Sequence, residues 1–527
     1  MKITVKNREK KEIESKEGQS ILEALQENGV YVPALCAGRG TCGKCKVKIL
    51  EGEVSSLEEA SERREEIRLA CKTCPLTDVV LELLEDAEEN MVVEVADKKL
   101  GKAAEKPLGE TGRFNEADIS RKNFIAVDIG TTTIAMALVD GQTGEIIDTY
   151  AALNRQRMHG ADVISRIAAA NEGLLTQLKQ LIVEDLLLGI RKLTQEGDKP
   201  IAKVVIAANT TMVHLLMGYS CESLGRHPFL SEHLGLIQTT LGEIVQEGQF
   251  QTGGKESCPA TDVIILPGIS AFVGSDITAD LLICPGFEEE GISLLLDMGT
   301  NGEMVIGNRE RLVAASTAAG PAFEGGNITC GTGSIPGAIN QVKILNRRAV
   351  IGTIGGKQPP AGICGTGIIE AIAQLKQSRL MDKEGALQAP YSNTGYPLWS
   401  SPSGEKIAIY QQDIRQLQLA KGAIRAGMEQ LMEAFGCRPK EVDKVYLAGG
   451  FGTKLPVEAA IQIGLFPEEF KEKIIAIGNG ALQGAMAYGS MLQIKEGQLK
   501  EIKKRVEGLN LALAEGFEER YLKYLNF

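Results

Sequence analysis

The stretch AVDIGTTTIAMALVD (residues 126–140) and its echo LLDMGTNGEMVIGN (residues 295–308) decide the reading of this chain. Each is an apolar run that delivers an Asp into a Gly-Thr turn and leaves on a second apolar run, the pattern of a tight hairpin at the end of a strand. The chemistry follows from the residue types. Gly130 lets the backbone approach an anion closely, Thr131 and Thr132 offer N–H and hydroxyl donors to phosphate oxygens, and Asp128 can hold hydrated Mg²⁺. Gly299, Thr300 and Asn301 repeat that donor set beside Asp297, with Glu303 on the strand that follows. One such turn is an ordinary hairpin; two copies can grip the β- and γ-phosphates of a nucleotide from opposite lobes. A third phrase, YLAGGFG (446–452), supplies a surface without side chains at Gly449 and Gly450 on which an adenosine can lie. Asp128, Asp297 and Glu303 are the candidates for holding the cation and orienting a hydrolytic water.

Around these hairpins the chain alternates strand and helix. FIAVDIG, KVVIAAN, DVIILPG, SLLLDMG and KVYLAGG read as strands, and ADVISRIAAANEGLLTQLKQLIVEDLLLGIRKL and DIRQLQLAKGAIRAGMEQLMEAF as long helices. The expectation is layered α/β architecture with its site at the carboxyl ends of strands. Residues 123–207 are expected to form a first lobe carrying the first hairpin, and 208–527 the rest of the nucleotide-binding region. ANTTMVHLLMG (208–218) reads as a connecting helix offering Asn209, Thr210 and His214 but no acidic base, which disfavours phosphoryl transfer to a substrate hydroxyl. The Gly-rich run 316–339 carries Glu324 as its single charge, and the tail 501–527 has helical periodicity with an apolar side that docks on a core.

Upstream the pattern differs. KITV and KEIES form a hairpin, and QSILEALQENG a helix with a Ser20/Glu23 capping box and Gly29 as its stop. Residues 1–97 read as a small α+β grasp fold. Residues 98–122, rich in Lys, Glu and Gly without apolar periodicity, read as a solvated linker.

Of 11 cysteines, Cys36, Cys42, Cys45, Cys71 and Cys74 fall in this first part. CAGRGTCGKC is a C-x5-C-x2-C spacing, and its glycines let backbone N–H groups turn toward sulfur, so three thiolates from one loop and Cys71 from another segment can surround a [2Fe-2S] cluster. A zinc site built from the two C-x2-C pairs and a redox-active CGKC dithiol stay open as other uses of these thiols. The remaining six cysteines, at 221, 258, 284, 330, 364 and 437, sit among small and apolar neighbours and read as packed core residues.

Composition closes off other classes. With a net charge of -12 over 527 residues the chain has no electrostatic drive toward nucleic acid or anionic lipid. No signal-type stretch and no long apolar run occurs, so a cytoplasmic protein is expected.

The first 95 residues resemble [2Fe-2S] ferredoxins, with a cysteine spacing like the adrenodoxin-type variant; that likeness favours Cys36, Cys42, Cys45 and Cys71 as ligands and leaves Cys74 spare. DIGTTT, DMGTNGE and LAGGFG, in that order, resemble the phosphate 1, phosphate 2 and adenosine motifs of the superfamily (ASKHA) that holds acetate kinase, sugar kinases, heat-shock chaperone ATPases and actin. Together with GADVISRI, NTTM, TAAGPAFEGGNI and QLAKGAIRAGM, the domain order resembles the ferredoxin-first reductive activators of corrinoid-dependent methyl-transfer proteins. That resemblance implies ATP-dependent, one-electron reduction of Co(II) to Co(I) on a partner corrinoid protein, a low-potential electron donor and a homodimer. An uphill gap of ~200 mV from a cluster near -400 mV asks for roughly 5 kcal/mol, within reach of a nucleotide-driven switch. A nucleotide-regulated electron-transfer adaptor and a ferredoxin-fused small-molecule kinase are the alternatives.

Overall fold

The computed structural model describes residues 1–6, 11–16, 18–28, 30, 32, 45–56, 67–84, 122–160, 162–194, 199–245, 260–356, 358–402, 404, 406–449 and 455–527. The expectations placed on Gly29, Cys36, Cys42, Cys258, Gly450, the strand-like run at 91–97 and the linker up to residue 121 lie outside the described residues.

In the first part β1 (Lys2–Val5) and β2 (Lys11–Glu14) pair antiparallel with Ile3 opposite Ile13. Helix α1 (Ile21–Glu27) opens on the expected box: Ser20 Oγ accepts from the Glu23 N–H at 3.2 Å, and the Glu23 carboxylate accepts from the Ser20 N–H at 2.9 Å. Its Ile21, Leu22, Ala24 and Leu25 are buried. The strands β3 (Lys46–Glu51), β4 (Val54–Ser56), β5 (Ile67–Leu69), β6 (Thr73–Pro75) and β7 (Val79–Leu83) follow. The main sheet runs β2-β1-β7-β3-β5, with β7 parallel to β1 and Val79, Leu81 and Leu83 alternating into the core.

The rest is built on two six-stranded sheets of one design, with a three-stranded and a two-stranded sheet between residues 338 and 409. The first contains β8 (Phe124–Ile129), β9 (Thr133–Val139), β10 (Ile146–Leu153), β11 (Lys203–Ala208), β12 (Ile237–Thr240) and β13 (Asp262–Ile265), in the order β10-β9-β8-β11-β13-β12. The second contains β14 (Ile292–Met298), β15 (Gly302–Gly307) and β16 (Leu312–Thr317), then β17 (Val442–Ala448), β18 (Ile474–Gly478) and β19 (Val506–Gly508), in the order β18-β17-β14-β15-β16-β19. In both, a three-strand antiparallel meander is extended by two parallel strands, and the inner strands β8 and β11 of the first sheet and β14 and β17 of the second are largely buried. The first lobe therefore passes residue 207, where the sequence reading closed it. The Asp262–Ile265 backbone pairs along β11, which would otherwise leave a row of unpaired N–H and C=O groups inside the protein.

Two helices depart from their sequence patterns. The apolar run 161–193 is not one helix. Gly173 at φ +104° breaks it between Val163–Ala169 and α2 (Leu175–Thr194). The tail is not continuously helical either: Val506–Gly508 adds to the second sheet parallel to β16, Leu511–Leu513 makes a 3-10 turn with Leu511 buried, and Phe517–Lys523 returns to α-helix.

After β11 comes α3 (Thr210–Met217), and after β13 comes α4 (Ser275–Leu281); the long α5 (Gln411–Phe435) precedes β17, and α6 (Gly480–Ser490) follows β18. Although α6 leaves the second sheet, it packs on α4 and on β8 and β11 of the first, so it ties the lobes together. That approach requires glycine, since a Cβ on Gly484 would stand 2.1 Å from the Ala279 carbonyl oxygen. Of the scattered cysteines, Cys221, Cys284 and Cys364 are buried and Cys330 and Cys437 half-buried. Among the described residues no helix is long and apolar enough to cross a membrane.

Candidate functional site

The first hairpin turn is held through its carbonyls and the Thr131 hydroxyl by side chains from three neighbouring segments. Gly130 N–H bonds Thr133 O at 2.9 Å, and a Cβ there would meet the same oxygen at 2.9 Å. Asn154 donates its side-chain amide to Gly130 O at 2.9 Å and its N–H to Thr132 O at 3.0 Å. The fully buried Arg166 gives its guanidinium to Thr131 O and to Gly160 O, and burial pulls its pKa down to about 9. Asn209 caps α3 through the Met212 N–H and donates its amide to Thr131 Oγ1 at 3.1 Å.

The second turn comes from the other sheet. Gly299 N–H bonds Asn301 O at 3.0 Å, and Thr300 Oγ1 lies 3.4 Å from Thr132 Oγ1. Both hydroxyls reach Glu324 Oε2, at 3.5 Å from Thr132 and 3.3 Å from Thr300. Gly449 sits against the same place at φ +84°, where a Cβ would press on Asp297 Oδ1 at 2.8 Å, so this glycine ends β17 and also lets the chain pass close to the Asp297 carboxylate.

Beneath the turns lies a set of carboxylates. Asp128 ends β8, and Asp297 and Glu303 face each other across β14 and β15. Helix α4 adds Asp276 and Asp280, one turn apart. Burial, then the charges of Asp276, Asp128 and Glu324, pushes Asp297 up to about 8. Burial also takes Asp128 to about 7, against the Asn479 hydrogen bond that lowers it, and Asp276 to about 6. Glu303 and Asp280 stand well above the carboxylate range, burial being the first cause. Neither carboxylate oxygen of the fully buried Asp280 has a hydrogen-bond partner. Among the described residues no three acidic, His or Cys side chains converge as direct metal ligands. The donor chemistry fits a hard, hydrated cation reached through water rather than a closed protein cage.

Sequence reasoning missed Asp276, Asp280, Asn479, Asn154 and Arg166. A signal existed for three of them: DITADL spaces two acids four apart just beyond a strand, and Asn479 repeats after β18 what Asn209 does after β11. His214, by contrast, has both ring nitrogens engaged, with Ser220 O at 2.8 Å and Ser231 Oγ at 2.9 Å, and packs against Tyr219 and His233.

In the first domain Cys45 and Cys71 bring their sulfurs to 3.2 Å in the core beside α1, while Cys74 points elsewhere, to Gly18 O at 3.6 Å. Two buried thiols at this separation fit adjacent ligands of one iron centre.

Comparison with known proteins follows the same division. Residues 4–76 match a 2Fe-2S iron-sulfur cluster binding domain, residues 124–288 the RACo middle region, and residues 291–527 the C-terminal domain of RACo, the ASKHA domain. The corrinoid activation enzyme RamQ of Eubacterium limosum is 33% identical over 423 residues, spanning 76% of this chain and 69% of that protein. The chain belongs to the RACo family. The [Co(II) methylated amine-specific corrinoid protein] reductase of Methanosarcina barkeri is 25% identical over 432 residues, 76% of each chain. A solved structure of a reductive activator for corrinoid, iron-sulfur protein superposes with a TM-score of 0.70 at 26% identity, covering 100% of this chain and 98% of that one. In RACo terms the first hairpin lies in the middle region and the second in the ASKHA domain, so the site is built where these two regions meet. The first domain is a [2Fe-2S] domain, and the zinc and dithiol readings of its cysteines fall away.

Proposed function

We propose that this chain is an ATP-dependent reductive activator that passes one electron from its [2Fe-2S] domain to the Co(II) corrinoid of a partner methyl-transfer protein, giving Co(I). The observation that carries the nucleotide part is the meeting of Thr132 and Thr300, 3.4 Å apart, from two sheets of the same design. Gly130, Thr131 and Thr132 on one side and Gly299, Thr300 and Asn301 on the other donate to the β- and γ-phosphates. Asp128, Asp297 and Glu303 hold Mg²⁺ through water and orient the water that hydrolyses ATP, and Gly449 and Gly450 flank the adenosine. Cys36, Cys42, Cys45 and Cys71 hold the cluster, which when bound supplies a one-electron carrier near about -400 mV. Residues 98–122 act as the linker between the two functions. The protein works in the cytoplasm as a homodimer, reduced by a low-potential donor.

A kinase acting on a small hydroxyl substrate has less support. Helix α3 carries no carboxylate, and His214 is fully engaged in its own hydrogen bonds. The test is anaerobic absorbance spectroscopy of the protein, a Co(II) corrinoid protein and a low-potential reductant, with and without Mg-ATP. Appearance of the Co(I) band only with ATP is the expected result; ATP hydrolysis with cobalt remaining Co(II) on several corrinoid partners would overturn it.

A further inference from the structure

Glu324 is not required to build either hairpin, yet its carboxylate accepts from the hydroxyls of both: Thr132 of the first sheet and Thr300 of the second. A hydroxyl has a single proton to give, so while Thr132 and Thr300 donate to Glu324 they cannot donate to a phosphate oxygen. The side chain is half-buried, the charge of Arg157 acts on it, and its own charge bears on Asp297. A second anion in the same place would face like-charge repulsion at low dielectric.

The segment carrying Glu324 is pinned at its middle by the buried Ala322 and Phe323 and flanked by glycines. It is the single 3-10 turn Pro321–Glu324, bounded by Gly320 at φ +75° and Gly325 at φ +80°. Gly320 meets nothing on its Cβ side, whereas Gly325 lies so close to the next segment that a Cβ would be 2.3 Å from Thr332 O. Beyond Thr332 the chain is exposed through Gly333, Ser334, Ile335 and Pro336, with Ile335 39% exposed. Gly325, next to Glu324, is thus in backbone contact with the segment that leads to this surface.

We propose that Glu324 is a built-in competitor for the terminal phosphate: it closes the two hairpins on each other until a γ-phosphate takes over Thr132 and Thr300, and its departure moves residues 320–336. This rests on the reading that the hairpins hold nucleotide phosphates. Mg-ATP and Mg-ADP binding to the full-length wild type, Glu324→Gln and Glu324→Ala, measured by calorimetry, tests it. Removing the competitor should tighten Mg-ATP about tenfold and leave Mg-ADP within about twofold. Equal or weaker Mg-ATP binding by both variants overturns the proposal. Hydrogen exchange on the wild type is a second reading that needs no substitution: peptides within 318–336 should change protection with Mg-ATP and not with Mg-ADP, and no change overturns it. If the wild type itself binds no Mg-ATP, the nucleotide reading falls first and this proposal with it; binding without the variant effect removes this proposal alone.

Discussion

Asn479 donates its side-chain amide to Asp128 Oδ2 at 2.8 Å across 351 positions of sequence, while its own oxygen caps α6 by accepting from the Leu482 N–H at 2.8 Å. One residue thereby fixes the start of the helix that joins the lobes and the carboxylate at the end of β8. Asn209 does the same for Thr131 from the start of α3. The two asparagines hold the first hairpin from two directions.

Asn479→Ala should lose about 1 kcal/mol of stability through the missing cap. It should also shift Mg-ATP binding. Asp128 must be ionised to serve a cation, its pKa stands at about 7, and the Asn479 bond is what lowers it. Affinity in the wild type should therefore fall as pH drops from about 8 through about 7, where Asp297 and then Asp128 take up protons, and the variant's lower limb should lie higher. Titration calorimetry from pH 6 to pH 8.5 shows this; identical lower limbs would count against the role of Asn479.

Gly484→Ala should be strongly destabilising, by roughly 3 kcal/mol, because its Cβ would meet the Ala279 carbonyl at 2.1 Å and α6 would have to back away from α4. Gly497→Ala, on an exposed helical position with nothing within 4 Å of its Cβ, should instead gain about 0.5 to 1 kcal/mol. Urea unfolding of both variants makes the comparison, and similar behaviour of the two would contradict the packing argument.

Cys71→Ser should abolish the visible absorption of the reconstituted first domain in the intact protein, while Cys74→Ser should keep it. The geometric reason is that Cys71, and not Cys74, meets Cys45. A colourless Cys74→Ser protein beside a coloured Cys71→Ser protein would reverse the assignment.

Lys421 is fully buried on α5, with its ammonium on Asn526 O and 4.9 Å from the Phe527 ring centre, and burial with the charges of Lys376 and Arg425 pulls its pKa from 10.5 to about 7. Between those two values the unfolded chain binds more protons than the folded one, so this group adds stability as pH rises through that window and adds none below it. Relative to Lys421→Met, the wild type should gain roughly 2 kcal/mol between pH 7 and pH 9. Denaturant unfolding at the two pH values measures it; a pH-independent difference would be the contrary result.

The sequence by itself determined the local elements of this protein. Apolar runs ending in Gly-Thr turns became β8–β9 and β14–β15, the Ser20/Glu23 box became the cap of α1, and the cysteine loop marked the first domain, because each is written in neighbouring residues. It failed where a local pattern had two outcomes. Helical periodicity at 161–193 and 501–527 could not register that Gly173 takes a positive φ or that Val506–Gly508 would find an open strand edge at β16.

Only the tertiary structure decided what stands around the site. Asp276 and Asp280 are ordinary helical acids until α4 is packed against α6 and β11, where burial lifts both. Asn479 is a helix cap until α6 crosses to the other lobe, and Glu324 is one charge in a Gly-rich loop until two sheets bring Thr132 and Thr300 to it. The physical reason is the same in each case: a carboxylate's protonation and a donor's partner are set by what comes within a few ångströms in space, and these neighbours lie tens to hundreds of residues away along the chain.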